Sequence, residues 1–153
     1  MKDTDYMREA LAMGREALHA GEIPVGCILV KDGDMIARTR NRVEADRDVT
    51  AHAEMLALRA VPRYALKDCT LYVTLEPCPM CAGAIAMSGV RRVIYGAADP
   101  ACGCCGSVYR ITEDPAFPGY AQADGGVLRE ECEALLKEGF RQLRERPGEN
   151  KPL

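Results

Sequence analysis

The chain has 153 residues, a formal net charge of −3 and eight cysteines, a size at which about 70% of the unfolded surface is buried without covalent staples. The acidic balance excludes a general attraction to nucleic acid, so any RNA contact must come from a local patch. No apolar run approaches the roughly eighteen residues of a membrane span, and no signal peptide precedes the charged start Met1-Lys2-Asp3-Thr4-Asp5, which points to a reduced, cytoplasmic setting.

From Asp5 to Ala20, Met7, Ala10, Leu11, Ala17 and Leu18 recur at helical spacing, and Gly21 supplies a stop. Val25 to Val30 is a nearly continuous apolar run, Lys31-Asp32-Gly33-Asp34 a turn, and Met35 to Arg38 extended again, which predicts a hairpin. His52 to Ala60 carries Ala53, Leu56, Ala57 and Ala60 on one side, predicting a helix whose first turn holds His52 and Glu54. Leu71 to Leu75 reads as a buried strand running into Pro77 and Cys78, with Pro79 to Ala86 helical. Arg92 to Gly96 is a further short strand, and Ala97 to Gly125 is a long irregular stretch of the kind that often carries function. Leu128 to Arg146 places Leu128, Cys132, Leu135, Leu136, Phe140 and Leu143 on one stripe, while Arg141, Arg144 and Arg146 fit either a solvated face or an RNA-facing one. Cys27, Cys69 and Cys132 fall at core positions, and Pro147 to Leu153 reads as a flexible tail, leaving 1–146 as a single domain. Hairpin, helix, strand, helix, strand, helix implies a three-layer α/β/α fold around a mixed sheet.

The chemistry concentrates in Thr50-Ala51-His52-Ala53-Glu54 and Thr74-Leu75-Glu76-Pro77-Cys78-Pro79-Met80-Cys81. Zinc takes imidazole nitrogen and thiolate sulfur in a tetrahedron, and a catalytic site uses three protein ligands and leaves the fourth position to water. His52, Cys78 and Cys81 supply three, and a Cys-x-x-Cys at a helix start favours the thiolate form. Glu54, two residues from His52, lacks the spacing of a helical His-Glu-x-x-His site and fits a proton carrier. Bound zinc lowers the pKa of water from about 15.7 to about 7, so hydroxide becomes the nucleophile at neutral pH. The pattern His-x-Glu followed by Pro-Cys-x-x-Cys, with the Glu outside the metal shell, is the one described for nucleobase deaminases. One alternative stands beside it. Cys78-x2-Cys81-x20-Cys102-x2-Cys105 also fits the spacing of a closed structural module with four cysteines, which would leave His52 and Glu54 idle. Outside such a module, Cys102, Cys104 and Cys105 read as small residues packing a tight Gly-rich loop.

These residues resemble the cytidine deaminase-like superfamily, and within it the TadA-type bacterial tRNA-specific adenosine deaminases. The resemblance runs from the first helix to about Arg146, through Ile23-Pro24-Val25-Gly26, Asn41-Arg42, Thr50 to Glu54, Leu71 to Ala84, Gly96-Ala97 with Asp99, Gly106-Ser107 and Gly126 to Cys132. It implies a mixed five-stranded sheet flanked by helices and conversion of adenosine to inosine at the wobble position of a tRNA anticodon. It also implies one zinc per subunit on His52, Cys78 and Cys81, with Glu54 moving protons. Asn41 would hydrogen-bond the flipped base, Val25 would wall the pocket, and Asp99 would lie near the substrate's backbone. A homodimer binding an anticodon stem-loop close to its interface is implied as well. Ala98 and Gly89 stand where that family often has basic residues. A free-base deaminase for guanine or cytosine is the alternative with the same chemistry, since Pro79-Met80 occurs there too.

Overall fold

The computed structural model describes residues 1–146, and the expected tail over 147–153 lies outside them. Helix α1 (Asp3–His19) buries Met7, Ala10, Leu11 and Ala17, the stripe that its periodicity dictates. Strands β1 (Gly26–Lys31) and β2 (Asp34–Arg40) form the hairpin, closing at the pair Lys31 and Asp34. Asp32 and Gly33 between them both have positive φ, 50° and 85°, the turn whose twist matches the strands it joins. A short helix α2 (Val43–Asp46) and a longer α3 (Ala53–Arg59) follow, then a 3₁₀ turn at Arg63–Leu66. β3 (Thr70–Leu75), α4 (Pro79–Ser88) and β4 (Arg92–Ala97) make a parallel crossover, and β5 (Gln122–Gly125) and α5 (Arg129–Arg144) come last.

The strands lie in the order β2-β1-β3-β4-β5. β1 is antiparallel to both neighbours, whereas β3, β4 and β5 run parallel, so the sheet is mixed as expected. α1 packs with α5, and α3 with α4, as the two outer layers. At Gly26 the strand faces Ala10 of α1, while the next residue, Cys27, feels the Glu54 carboxylate of α3. Both faces of β1 are covered, which is why Gly26 to Val30 are all buried and the run lacks polar alternation. The Ala10 carbonyl and the Gly14 amide crowd Gly26 so closely that a β-carbon there would overlap them. Gly26→Ala should cost roughly 3 kcal/mol by overpacking against backbone. At about 2–4 °C per kcal/mol, calorimetry should show the melting temperature falling by about 6–12 °C.

Three features differ from the sequence-based expectation. β5 and a 3₁₀ turn at Ile111–Glu113 lie inside the stretch read as irregular. Gln122-Ala123-Asp124-Gly125 is a polar edge strand, extended because it pairs with β4 and not through its own periodicity. His52 lies just before α3 and not in its first turn, with extended backbone at φ −69° and ψ 151°. Phe140 is 44% exposed, off the stripe of Cys132, Leu135, Leu136 and Leu143 that α5 buries, and Leu128 precedes that helix at φ 51°. Arg141 is held by Glu138 of its own helix and by Glu145 at its C-cap, the solvated-face alternative. Cys27, Cys69 and Cys132 are core residues as expected, and Cys104 and Cys105 are buried while Cys102 is exposed.

Candidate metal centre

Past the end of β3, Glu76 and Pro77 carry the chain to α4. Cys78 caps that helix, its carbonyl accepting the Ala82 N–H at 2.8 Å, and Pro79 takes the first helical position, where an N–H would have no intrahelical partner. Cys81 therefore falls in the first turn. His52 stands in the same relation to α3, its carbonyl accepting the Leu56 N–H at 3.0 Å. Because α3 and α4 are neighbours, two helix starts meet and bring the three side chains together. His52 Nδ1 stands 3.6 Å from the sulfurs of both Cys78 and Cys81. Bonds of about 2.05 Å to nitrogen and about 2.3 Å to sulfur, meeting at a tetrahedral angle, put those atoms about 3.6 Å apart. The donor set and its spacing fit a zinc ion. Among the described residues this is the group of three with that geometry, and neither Cys102 nor Cys105 joins it. Cys105 instead lies beneath the Thr112 hydroxyl, which donates to its sulfur, so the four-cysteine arrangement does not form.

Hydrogen bonds from Cys81 and His52 bring the Cys78 thiol down to about 4, while its bond to Cys78 and its burial push the Cys81 thiol up. Negative charge on the Cys78 sulfur is therefore stabilised at this spot; thiolate is the form that binds zinc. Glu54, 4% exposed on the first turn of α3, is raised to about 7 by burial above all. The Cys78 sulfur adds to the rise, while the backbone amide and His52 oppose it.

These groups open into a cavity of about 610 Å³, within the range of small-molecule sites. Val25, Asn41 and Asp99 line it together with His52, Glu54 and Cys78, so the structure gathers all the residues singled out from the sequence, with Cys81 buried behind them. Asn41 donates from Nδ2 to the Ile23 carbonyl at 3.4 Å, and its Oδ1 is buried with no partner. A buried acceptor without a donor is rare and marks a place that a ligand can complete.

Two further cavity residues escaped the sequence reading. Glu22, 2% exposed, accepts the N–H groups of Glu44 and Ala45 at 2.9 and 2.8 Å and so holds the start of α2. Glu76, also 2% exposed, accepts three N–H groups and a hydroxyl from the segment 99–107. A carboxylate between an apolar strand and a Pro-Cys pair, with a Gly-rich loop downstream, was the available signal. Gly89 closes α4 at φ 94°, a left-handed position that suits glycine better than a basic residue.

Residues 1–97 match the cytidine and deoxycytidylate deaminase zinc-binding region. The tRNA-specific adenosine deaminase of Bacillus subtilis (strain 168) is 44% identical over 149 residues, covering 95% of this chain and 92% of that protein. The chain belongs to the tRNA-specific adenosine deaminase family. A solved structure from work on A-to-I editing by tRNA:A34 deaminases matches this deaminase with a TM-score of 0.82 at 39% identity, over 86% of this chain and 99% of its own. A guanine deaminase structure from Nitrosomonas europaea matches with a TM-score of 0.75 at 26% identity, over 88% of this chain and 82% of its own. The fold is therefore the cytidine deaminase-like one, and the enzyme is a zinc-dependent deaminase with one zinc per subunit. Among the described residues, no helix is long and apolar enough to cross a membrane.

Proposed function

We propose that this enzyme deaminates adenosine to inosine at the wobble position of a tRNA anticodon, with the anticodon stem-loop as the recognised element. The 44% identity to a tRNA-specific adenosine deaminase over 95% of the chain carries this reading, against 26% for the guanine deaminase. In this reading His52, Cys78 and Cys81 hold the zinc, Glu54 moves protons, and Asn41, Val25 and Asp99 meet the substrate. Zinc, when bound there, supplies the Lewis acidity that makes water a nucleophile at neutral pH.

The rest falls to the chain's own groups. Water adds at C6 of adenine and ammonia leaves, so one proton reaches ring N1 and another the departing amine. Three buried glutamates line the cavity, and in Glu22 and Glu76 both oxygens are committed to backbone N–H groups of other segments. Glu54, against Cys78 and Cys81, is the one available to accept a proton and return it. Asn41 Oδ1, buried without a partner, supports its reading as the acceptor for a donor on the base edge, and Val25, in the lining of the same cavity, supports its reading as part of the pocket wall.

A homodimer accords with the exposure of the large apolar side chains Met87, Phe117 and Tyr120. One continuous buried cluster, from Tyr6 to Leu136, supports residues 1–146 as a single deaminase domain. A cytoplasmic setting accords with the tRNA-specific relatives of the chain. Zinc-loaded protein incubated with an unmodified arginine tRNA anticodon stem-loop should yield inosine on nucleoside chromatography. No inosine, with rapid ammonia release from guanine or cytosine, would move the reading to a free-base deaminase.

A further inference from the structure

Glu76 lies between β3 and Cys78, and one loop occupies its whole carboxylate. Oε1 accepts the Asp99 N–H at 3.0 Å and the Ser107 hydroxyl, and Oε2 accepts the N–H groups of Cys105 and Ser107 at 3.1 and 3.0 Å. Gly103 packs against the same carboxylate, where any β-carbon would overlap it. The Cys104 N–H donates to the adjoining Pro77 carbonyl at 2.8 Å, so the loop is tied at two successive residues. Residues 99–107 thus fold around a buried anion, as backbone nests do. That loop brings Asp99 and Cys102 to the cavity wall and carries none of His52, Glu54, Cys78 or Cys81.

We infer that Glu76 is a positioning residue, which holds the segment 99–107 at the cavity wall and thereby sets how tightly the RNA substrate is bound, without touching the reacting base. This rests on the tRNA reading of the site. Hydrogen bonds to an ionised acceptor are the stronger kind, and removing the acceptor leaves three amides unpaired near the wall. Glu76→Gln keeps the shape and turns one acceptor into a donor that faces amides. Ser107→Ala removes one donor and leaves the buried carboxylate intact.

Hydrogen exchange and steady-state kinetics on the zinc-loaded full chain test this together. In Glu76→Gln, amide exchange across 99–107 should accelerate by about tenfold or more, and in Ser107→Ala by less, while β3 keeps its protection. With zinc still at one per chain, KM for the stem-loop should rise about tenfold in Glu76→Gln and kcat should stay within about twofold. Unchanged exchange in both variants would overturn the inference, as would a fall in kcat with KM unaltered. Should Glu76→Gln not fold, Ser107→Ala alone decides by the same measures. Failure of the tRNA reading would instead show as no inosine from the unaltered chain, and exchange across 99–107 would still test the tether.

Discussion

Glu54→Gln should abolish turnover and leave the zinc in place. The amide matches the carboxylate in shape but cannot take a proton, and in the proposed mechanism both proton transfers pass through this one position. A single general acid–base group contributes about 10²- to 10⁴-fold, and a group used twice should fall at the upper end, so kcat should drop by about 10⁴. Glu54 is not part of the His52, Cys78 and Cys81 cluster, and its substitution removes no ligand. Metal analysis should therefore give the same zinc content as the unaltered chain. Loss of zinc would make Glu54 a ligand, and turnover within about tenfold of normal would end its role as proton carrier.

The three ligands and Glu54 were legible in the sequence because metal chemistry restricts residue type as well as spacing. Few side chains bind zinc, and His52 with Glu54 ahead of Cys78 and Cys81 leaves little else for them to do. Asp32-Gly33 was legible for a similar reason, since two successive positive φ values demand such residues. Glu22 and Glu76 were not, because their partners are backbone N–H groups of residues 22 to 31 positions away, and any residue type can supply those. The fifth strand was missed by pattern alone, for Gln122 to Gly125 owes its conformation to β4. Spacing also could not choose between His52 and the pair Cys102 and Cys105. The folded loop chooses, because Glu76 holds it in a path that buries Cys105 under Thr112 and leaves Cys102 at the cavity wall.

His52→Ala should strip the zinc, whereas Cys102→Ser should keep it. With imidazole gone, Cys78 and Cys81 are left as two ligands on one helix start, and nothing from α3 completes the set. Zinc bound at structural sites with full ligand sets is worth about 10–16 kcal/mol in apparent free energy, so losing one of three ligands should leave binding too weak to survive dialysis against a chelator. Thiol titration of the folded protein gives an independent reading: zinc shields the half-buried Cys78, so His52→Ala should expose one more reactive thiol than the unaltered chain, Cys81 being buried. Cys102, exposed in every case, should react throughout and be missing from the count in Cys102→Ser. Zinc loss in Cys102→Ser with retention in His52→Ala would restore the closed four-cysteine site and remove the basis for hydrolysis. The metal also joins α3 to α4, so the melting temperature of His52→Ala should match that of the unaltered chain after chelation and should no longer rise when zinc is added.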